Sequence, residues 1–199
     1  MLTQTLFEEL KARKPEQDEG VPYEKNGYRY QWRFKAGDQY RVWLRQSTKD
    51  TSNVWETLLN ENSLAEGCEY FRLGALAVSP DGTKLAFSTD TNGSERFILQ
   101  VIEIASGNAL TTPIENCAGS VVWNADSDGF AYRSVNENWR PDKALYRSLL
   151  GGDDALLYQE EDDAFFVGLG YVPATPYNTL AALLLMALVG SYTASISIP

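Results

Sequence analysis

No imidazole is available for acid–base chemistry in this sequence, because its 199 residues include no histidine. Without an imidazole the chain cannot assemble a Ser-His-Asp or Cys-His arrangement, which needs a neutral imidazole as base near pH 7. The G-x-S-x-G turn that exposes a nucleophilic serine does not occur either. We therefore expect no catalytic, cofactor-binding or metal-ligating residue in this chain, and no bound cofactor.

Two groups of carboxylates are candidates for chemistry, and both favour a structural interpretation. Asp81 lies in the sequence SPDG at 79–82, where proline presets φ, and where aspartate and glycine tolerate the turn that follows. The run Glu160–Asp163 could form a glycosidase pair or a calcium loop, but consecutive residues at a strand end point to opposite faces. We expect Asp81 to form a turn and the acidic run to be solvated.

Cysteine, tryptophan and arginine side chains offer three further candidates. Cys68 and Cys117 are spaced neither as metal ligands nor as a disulfide framework, which indicates free thiols in a reducing cytoplasm. Trp43 and Trp55 could form an aromatic platform for a ligand, although packing in a core or between repeats is favoured. Arg140 precedes a proline in a loop between two strands, and such a loop could face a domain interface.

The charge balance restricts the partners of the chain. With 17 basic and 27 acidic residues the formal net charge is −10, so we expect no nucleic-acid partner, because a basic patch is needed to neutralise phosphates. The same balance would attract cationic ligands. The N-terminus has no basic region followed by an apolar run and is not a secretory signal, so a cytoplasmic location is expected.

The apolar periodicity predicts a short helix followed by β-strands. Residues 6–14 place apolar side chains between charges, which indicates an amphipathic helix that Pro15 limits. Asn60 or Asn62 would cap a helical turn further along the chain. Strand-like segments with a period of two lie at 27–34, 39–46 and 55–59.

A repeat of 45 residues organises the middle of the chain. Residues 77–87 and 121–132 each contain a strand, a tight polar turn and a second strand, and Ala86 and Ala131 are equivalent. Four short strands roughly every 40 to 50 residues are typical of β-propeller blades, which cannot bury their own faces alone. We predict a mainly β fold: a partial β-propeller of about two complete four-stranded blades plus parts of others, after a short N-terminal helix.

Several segments in a fixed order resemble the N-terminal propeller of the prolyl oligopeptidase family of serine peptidases, in particular its oligopeptidase B (protease II) branch. These segments are VPYEKNGYRYQWRF, QYRVWLRQ, WETLLNEN, FRLGALAVSPDGTKLAFSTDTNGSE, VVWNADSDGFAYRS and RPDKALYRSLLGGDDALLYQEEDDAFFVGL. A lone SPDG would be weak support, because unrelated propellers use this turn. The order of WETLLNEN, SPDG and YQEEDDAFFV is more specific, and the resemblance covers residues 21–170.

The resemblance implies a soluble serine peptidase in which a seven-bladed propeller covers the active site of an α/β-hydrolase domain, so that only oligopeptides enter. The oligopeptidase B branch cuts after Arg or Lys, which implies basic oligopeptides as substrates of the full-length enzyme. In the family the Ser, Asp and His lie in the catalytic domain after the propeller. Because this chain lacks that domain, we expect it to be inactive alone. A stand-alone propeller that binds proteins, or a vestigial truncated product, is the alternative.

Three regions are expected: an N-terminal helix and linker (1–20), a partial propeller (21–170) and an atypical tail (171–199). The tail differs in composition, since no charged residue follows Asp163. Its apolar run is about half the ~20 residues that a membrane-spanning helix needs, so we expect no membrane partner. A change of reading frame near Gly170 is the preferred explanation of the tail. A genuine short variant whose tail covers an exposed edge is the alternative.

Overall fold

The structure, a computed structural model, describes residues 2–13, 17–170, 182–184 and 195–197. The chain divides into two compact units, Met1–Gly67 and Cys68–Pro199. Strands predominate in both units, and the expected mainly β fold class with an N-terminal helix is confirmed. Most of the expected tail 171–199 lies outside the described residues, which end at Gly170 apart from 182–184 and 195–197.

The first unit contains two helices and five strands. Its elements are α1 (Leu2–Arg13), β1 (Asp18–Glu19), β2 (Tyr23–Lys25), β3 (Tyr28–Phe34), β4 (Val42–Ser47), β5 (Glu56–Asn60) and α2 (Glu61–Ala65). The sheet has the order β1-β3-β4-β5, and β2 also pairs with β3. Helix α1 begins four residues before the predicted start, because the sequence LTQT contains no helix breaker.

The predicted hairpin of the first unit is confirmed as β3 and β4. Tyr30 lies opposite Arg45, and Trp32 lies opposite Trp43, so the alternation of the strands collects aromatic and cationic side chains on one face. After β5, Asn60 caps α2, since its side chain accepts a hydrogen bond from the backbone N–H of Asn62. This is one of the two cap positions expected from the sequence.

The second unit is built on one antiparallel sheet of seven strands in sequential order. These strands are β6 (Arg72–Val78), β7 (Lys84–Asp90), β8 (Phe97–Glu103), β9 (Ile114–Trp123), β10 (Gly129–Val135), β11 (Pro141–Ser148) and β12 (Ala155–Gln159). A separate pair, β13 (Ala182–Leu184) and β14 (Ser195–Ser197), is also antiparallel. Among the described residues no helix is long and apolar enough to span a bilayer.

Strand β9 belongs to both repeats, which is why two blades of four strands need only seven. Its first part pairs with β8 and its second part with β10, where Trp123 lies opposite Phe130. Cys117 belongs to both pairings, opposite Phe97 of β8 and Ser134 of β10. Between the two parts Gly119 has a φ of 69°, a left-handed conformation that glycine adopts without steric cost. We call β6–β8 with the start of β9 the first blade, and the end of β9 with β10–β12 the second blade.

The core of the second unit lies between the two blades. Ala86 and Ala131, the residues that defined the repeat, are 0% and 1% exposed. Side chains from both blades form the main apolar cluster, which contains Ala86, Phe97, Leu99, Val101, Ile114, Cys117, Trp123, Phe130 and Tyr132. Because neither blade encloses this cluster alone, their stability depends on stacking, as in other repeat proteins.

Candidate functional site

Asp81, the carboxylate first considered for chemistry, is committed to the turn between β6 and β7. It accepts hydrogen bonds from Ser79 Oγ at 2.5 Å, Thr83 N at 3.0 Å and Lys84 Nζ at 2.9 Å. Burial opposes ionisation of Asp81, but these hydrogen bonds prevail and hold its pKa well below its usual range. The predicted role in the turn is confirmed.

The acidic run Glu160–Asp163 follows β12 and forms an exposed turn, as expected. Glu160 accepts hydrogen bonds from the Tyr158 hydroxyl and from the backbone N–H of Asp162, both at 3.1 Å. Asp163 is 90% exposed and pairs with Arg140 at 2.9 Å. In the part of the chain that the structure describes, no group of three Cys, Asp or Glu residues is arranged to hold a metal ion.

The two tryptophans considered as a ligand platform have different neighbours. Trp43 is half-buried, lies opposite Trp32 in the sheet and donates its indole N–H to Glu61 Oε1 at 2.6 Å. The ring of Trp55 lies under the guanidinium of Arg33, at 5.6 Å from its centroid. The pair that the sheet brings together is therefore Trp32 with Trp43.

The two blades are joined by hydrogen bonds between equivalent turns, and we call this contact the inter-blade seam. At the β6–β7 end, Trp123 donates its indole N–H to the carbonyl of Ala77 at 2.9 Å. Beside it, the backbone N–H of Asp81 donates to Ser127 Oγ at 3.0 Å. Ser127 is 1% exposed, whereas Asp81 is exposed, so this hydrogen bond is partly buried.

The opposite end of the seam is closed by an arginine and a tryptophan. Arg96 donates to the carbonyls of Asn136 at 2.9 Å and Glu137 at 3.2 Å. Trp139 donates its indole N–H to the carbonyl of Ser94 at 2.7 Å, and Arg96 stacks on its ring at 4.8 Å. The seam therefore has side-chain contacts at both ends, which restrain sliding of one blade over the other.

Arg140 holds the loop that leaves the second blade. It donates to the carbonyls of Asp162 at 2.8 Å and Phe165 at 2.9 Å. Val167 next accepts a hydrogen bond from Arg133 at 2.7 Å and packs on the buried Ala131 and Ala144. The segment after β12 thus begins to cover the second blade. The hypothesis that Arg140 faces a domain interface stays a prediction.

An ion pair between Arg147 and Asp154 links β11 to the loop before β12. Asp154 accepts two hydrogen bonds from Arg147, at 2.6 and 2.7 Å, and one from the Tyr132 hydroxyl at 2.5 Å. Burial opposes ionisation of Asp154, but these donors outweigh it and lower its pKa. Close by, burial raises the pKa of the Cys117 thiol to about 12. This thiol is therefore neutral and unreactive at neutral pH.

Sequence reasoning missed the residues of the inter-blade seam. Ser127 and Trp139 have φ values of 62° and 58°, which are unusual for residues other than glycine. The signal that could have found Ser127 is the 45-residue repeat, since it aligns with Gly82, whose φ is 74°. Ser127 keeps the turn conformation of that glycine and adds a hydroxyl that reaches the neighbouring blade.

Comparison with known proteins shows which family the chain resembles and how much of its relatives it covers. The family model described as "Prolyl oligopeptidase, N-terminal beta-propeller domain" matches residues 1–176. The dipeptidyl aminopeptidase BI of Pseudoxanthomonas mexicana is 30% identical over 188 residues, which cover 85% of this chain and 26% of that protein. Protease 2 of Moraxella lacunata is 27% identical over 172 residues, or 82% of this chain and 25% of that protein. The chain thus spans about a quarter of the length of these curated relatives.

Solved structures of two oligopeptidases B have the same fold. Oligopeptidase B from Trypanosoma brucei matches 85% of this chain and 24% of its own chain, with a TM-score of 0.75 at 27% identity. Oligopeptidase B from Leishmania major matches 100% of this chain and 30% of its own, with a TM-score of 0.83 at 21% identity. The predictions of a partial β-propeller and of the family are confirmed. Matched over residues 1–176 and built from stacked blades, the chain belongs to the prolyl oligopeptidase family of peptidases, within its N-terminal β-propeller domain.

Proposed function

We propose that this chain is the substrate-gating propeller portion of a serine oligopeptidase similar to oligopeptidase B, which hydrolyses short peptides after Arg or Lys. The observation that carries the proposal is the family match over residues 1–176, in a chain whose two described blades are joined at both ends of their seam. In this proposal the propeller limits access, and a catalytic domain outside the chain supplies the chemistry.

The side chains of this chain support assigning catalysis to a different domain. Because the chain contains no histidine, its own residues cannot form the Ser-His-Asp arrangement that acyl transfer to serine requires. The 199-residue chain alone is therefore inactive in this proposal. The joined seam supports the gating role, since a wall of stacked blades excludes a folded protein only if adjacent blades stay together.

The charge distribution supports a preference for basic peptides. Residues 68–170 contain 16 acidic and 7 basic side chains, whereas residues 1–67 contain 11 and 10. The negative charge is thus concentrated in the two-blade unit. A surface of one sign raises the local concentration of ligands of the opposite sign, which favours peptides that carry Arg or Lys over nucleic acids.

We further propose a cytoplasmic location and no membrane partner. In the part of the chain that the structure describes, Cys68 is exposed, Cys117 is buried, and both are free thiols. Free thiols are typical of reducing compartments, which supports this location.

The native protein tests the proposal directly. An antibody against residues 79–94 would capture it from cells of its source organism, and its intact mass would be measured. The captured species would then be treated with a fluorophosphonate that labels active serines, and assayed with peptide reporters carrying Arg, Lys, Pro or Ala before the scissile bond. We expect a labelled species about four times as long as this chain, as the relatives suggest, with turnover after Arg and Lys.

Two results would contradict the proposal in whole or in part. A captured species of 22.2 kDa that is not labelled and cleaves no reporter would contradict the proposal and favour a protein-binding or vestigial product. A labelled species that cleaves after Pro but not after Arg or Lys would support the assignment as a serine peptidase and refute the proposed preference for Arg or Lys.

A further inference from the structure

Arg41 differs from every other described arginine in what its guanidinium contacts. Seven of the ten described arginines pair with a carboxylate: Arg13, Arg29, Arg33, Arg45, Arg72, Arg140 and Arg147. Arg96 and Arg133 donate to backbone carbonyls. Within the described residues the guanidinium of Arg41 forms neither kind of hydrogen bond, although it interacts electrostatically with the buried carboxyl of Glu61 and the chain carries ten more acidic than basic residues.

The guanidinium of Arg41 is nevertheless held in place by two indole rings. Its central carbon lies 4.5 Å from the ring centroid of Trp32 and 5.8 Å from that of Trp43. These tryptophans are opposite each other on β3 and β4, immediately beside Arg41. Stacking occupies the flat face of the guanidinium and leaves the N–H donors at its edge available. Arg41 is exposed, so a ligand can reach that edge.

The supporting residues are themselves fixed. Glu61 accepts the indole N–H of Trp43 at 2.6 Å, and its backbone N–H donates to the carbonyl of Arg41 at 3.0 Å. Glu61 is 7% exposed, and its hydrogen bond goes to the indole and not to the guanidinium. Burial raises the pKa of Glu61, and the indole N–H of Trp43 and the charge of Arg41 only partly oppose that rise. Any negative charge that Glu61 keeps disfavours a doubly charged phosphate more than a singly charged carboxylate.

We propose that Arg41, stacked on Trp32 and Trp43, binds the C-terminal carboxylate of a peptide. The planar fork of a guanidinium matches a carboxylate through two parallel hydrogen bonds, and the two indole rings preorganise it for that geometry. The choice of a peptide as the source of the carboxylate rests on the proposed function. Every oligopeptide has such a terminus whatever its sequence, so this contact would anchor substrates without selecting among them.

The test compares matched peptides on the folded 199-residue chain. The chain is titrated with Gly-Ala-Ala-Gly, with its C-terminal amide, and with an amidated Gly-Asp-Ala-Gly that carries only a side-chain carboxylate. Binding is followed by tryptophan fluorescence and by the NMR signal of Arg41 Nε. We expect the free acid to bind at least about tenfold more tightly than either amide, which corresponds to ~1.4 kcal/mol.

Two variants and one control assign the effect to Arg41. Arg41→Gln should abolish the preference for the free acid, and Arg41→Lys should reduce it, because lysine keeps the charge but loses the fork. Arg29→Gln, which removes an exposed arginine paired with Glu24, should leave the preference unchanged. If Arg41→Gln loses its near-ultraviolet dichroism and so its fold, the result with Arg41→Lys decides.

Three results would overturn the inference. Equal binding of the free acid and its amide would show that Arg41 does not recognise a carboxylate. Equal binding of the free acid and the amidated Asp peptide would show that the carboxylate need not be at the C-terminus. Displacement by inorganic phosphate at lower concentration than by acetate would indicate a general anion site. These binding measurements do not involve hydrolysis. If the captured native enzyme cleaves peptides but the binding test fails, only the inference about Arg41 is refuted and the proposed function stands.

Discussion

At the scale of single residues, the groups that suggested chemistry serve the turns and the seam. Asp81 illustrates this, and Asp90, which the sequence did not suggest for chemistry, is held in the same way: each carboxylate accepts backbone N–H groups of its own turn. Asp90 is 1% exposed and accepts hydrogen bonds from Asn92, Gly93 and Glu95. A carboxylate held by several donors stays ionised and cannot act as a general acid.

The two cysteines should react very differently with thiol reagents. Cys68 is exposed, whereas Cys117 is buried and burial raises its thiol pKa to about 12. Since the thiolate is the nucleophile, we expect iodoacetamide at pH 8 to modify one cysteine in the folded chain and two in urea. Peptide mass spectrometry locates the modification, and rapid modification of Cys117 in the folded chain would contradict the buried position.

Gly119 is expected to tolerate no side chain. A Cβ built on Gly119 would lie 3.0 Å from the ring of Phe97, and its φ is 69°. Gly107 has a similar φ of 73° but open space around it, so it provides a control. We expect Gly107→Ala to cost about 1 kcal/mol from the backbone conformation alone, and Gly119→Ala to cost about 2 to 3 kcal/mol. Urea unfolding measures both, and equal losses would refute the close packing on Phe97.

At the scale of elements, the decisive feature is that one strand serves two blades. Strand β9 pairs with β8 along its first part and with β10 along its second, so the two blades share one continuous strand. The alternating pattern of the sequence predicted separate four-stranded blades. It could not show the shared strand, because pairing partners are set by long-range contacts.

The hydroxyl of Ser127 should stabilise the seam measurably. Replacing Ser127 with alanine leaves the backbone N–H of Asp81 without its acceptor, and because this hydrogen bond is partly buried we expect a loss of about 1 kcal/mol. The exposed Ser106 provides the control, since surface changes usually stay within about 0.5 kcal/mol. Urea unfolding of both alanine variants gives the comparison. A loss at Ser127 no larger than at Ser106 would show that water replaces the missing acceptor.

The carboxylate of Asp154 should make the second blade sensitive to acid. Its pKa is lowered in the folded state by Arg147 and Tyr132, so its contribution is present above the unfolded pKa of about 3.9 and is lost as pH falls through the folded value. We expect the free energy of unfolding to fall as the pH drops below about 4. Asp154→Asn should be less stable at pH 7 and lose less on acidification. The neighbouring exposed Asp153→Asn serves as control, and an unchanged pH profile for Asp154→Asn would exclude this role.

At the scale of the whole molecule, the described part of the second unit is an incomplete stack. Strands β6 and β12 lie at the two ends of the seven-stranded sheet, so within the described residues each has one pairing partner. Repeat proteins gain their stability from neighbouring repeats, and unpaired sheet edges template association.

The isolated chain should therefore be marginally stable or self-associate. We expect sedimentation at tens of micromolar to give a mass above the 22.2 kDa of a monomer, or a broad transition below the melting temperature of the captured native protein. A monomer with a sharp, reversible transition at high temperature would contradict this expectation.

Much of the fold could be predicted from the sequence, because its signals are local. Alternation identified β3 and β4, the asparagines at 60 and 62 indicated a cap for α2, and the SPDG turn identified the β6–β7 hairpin. The 45-residue spacing then made the repeats visible, and the ordered segments indicated the family. Absence of histidine, a fact of composition, was enough to exclude a triad within the chain.

Only the tertiary structure decided which distant residues meet. The contacts of Ser127 with Asp81 and of Trp139 with Ser94 join residues 46 and 45 positions apart, and the stacking of Arg41 depends on the register of β3 with β4. Such contacts follow from how strands pair and how blades stack. Hydrophobic periodicity predicts which face of a strand is buried, but not which residues pack against that face. Local propensity therefore determined the elements and the repeat, and packing determined the seam and the exposed guanidinium.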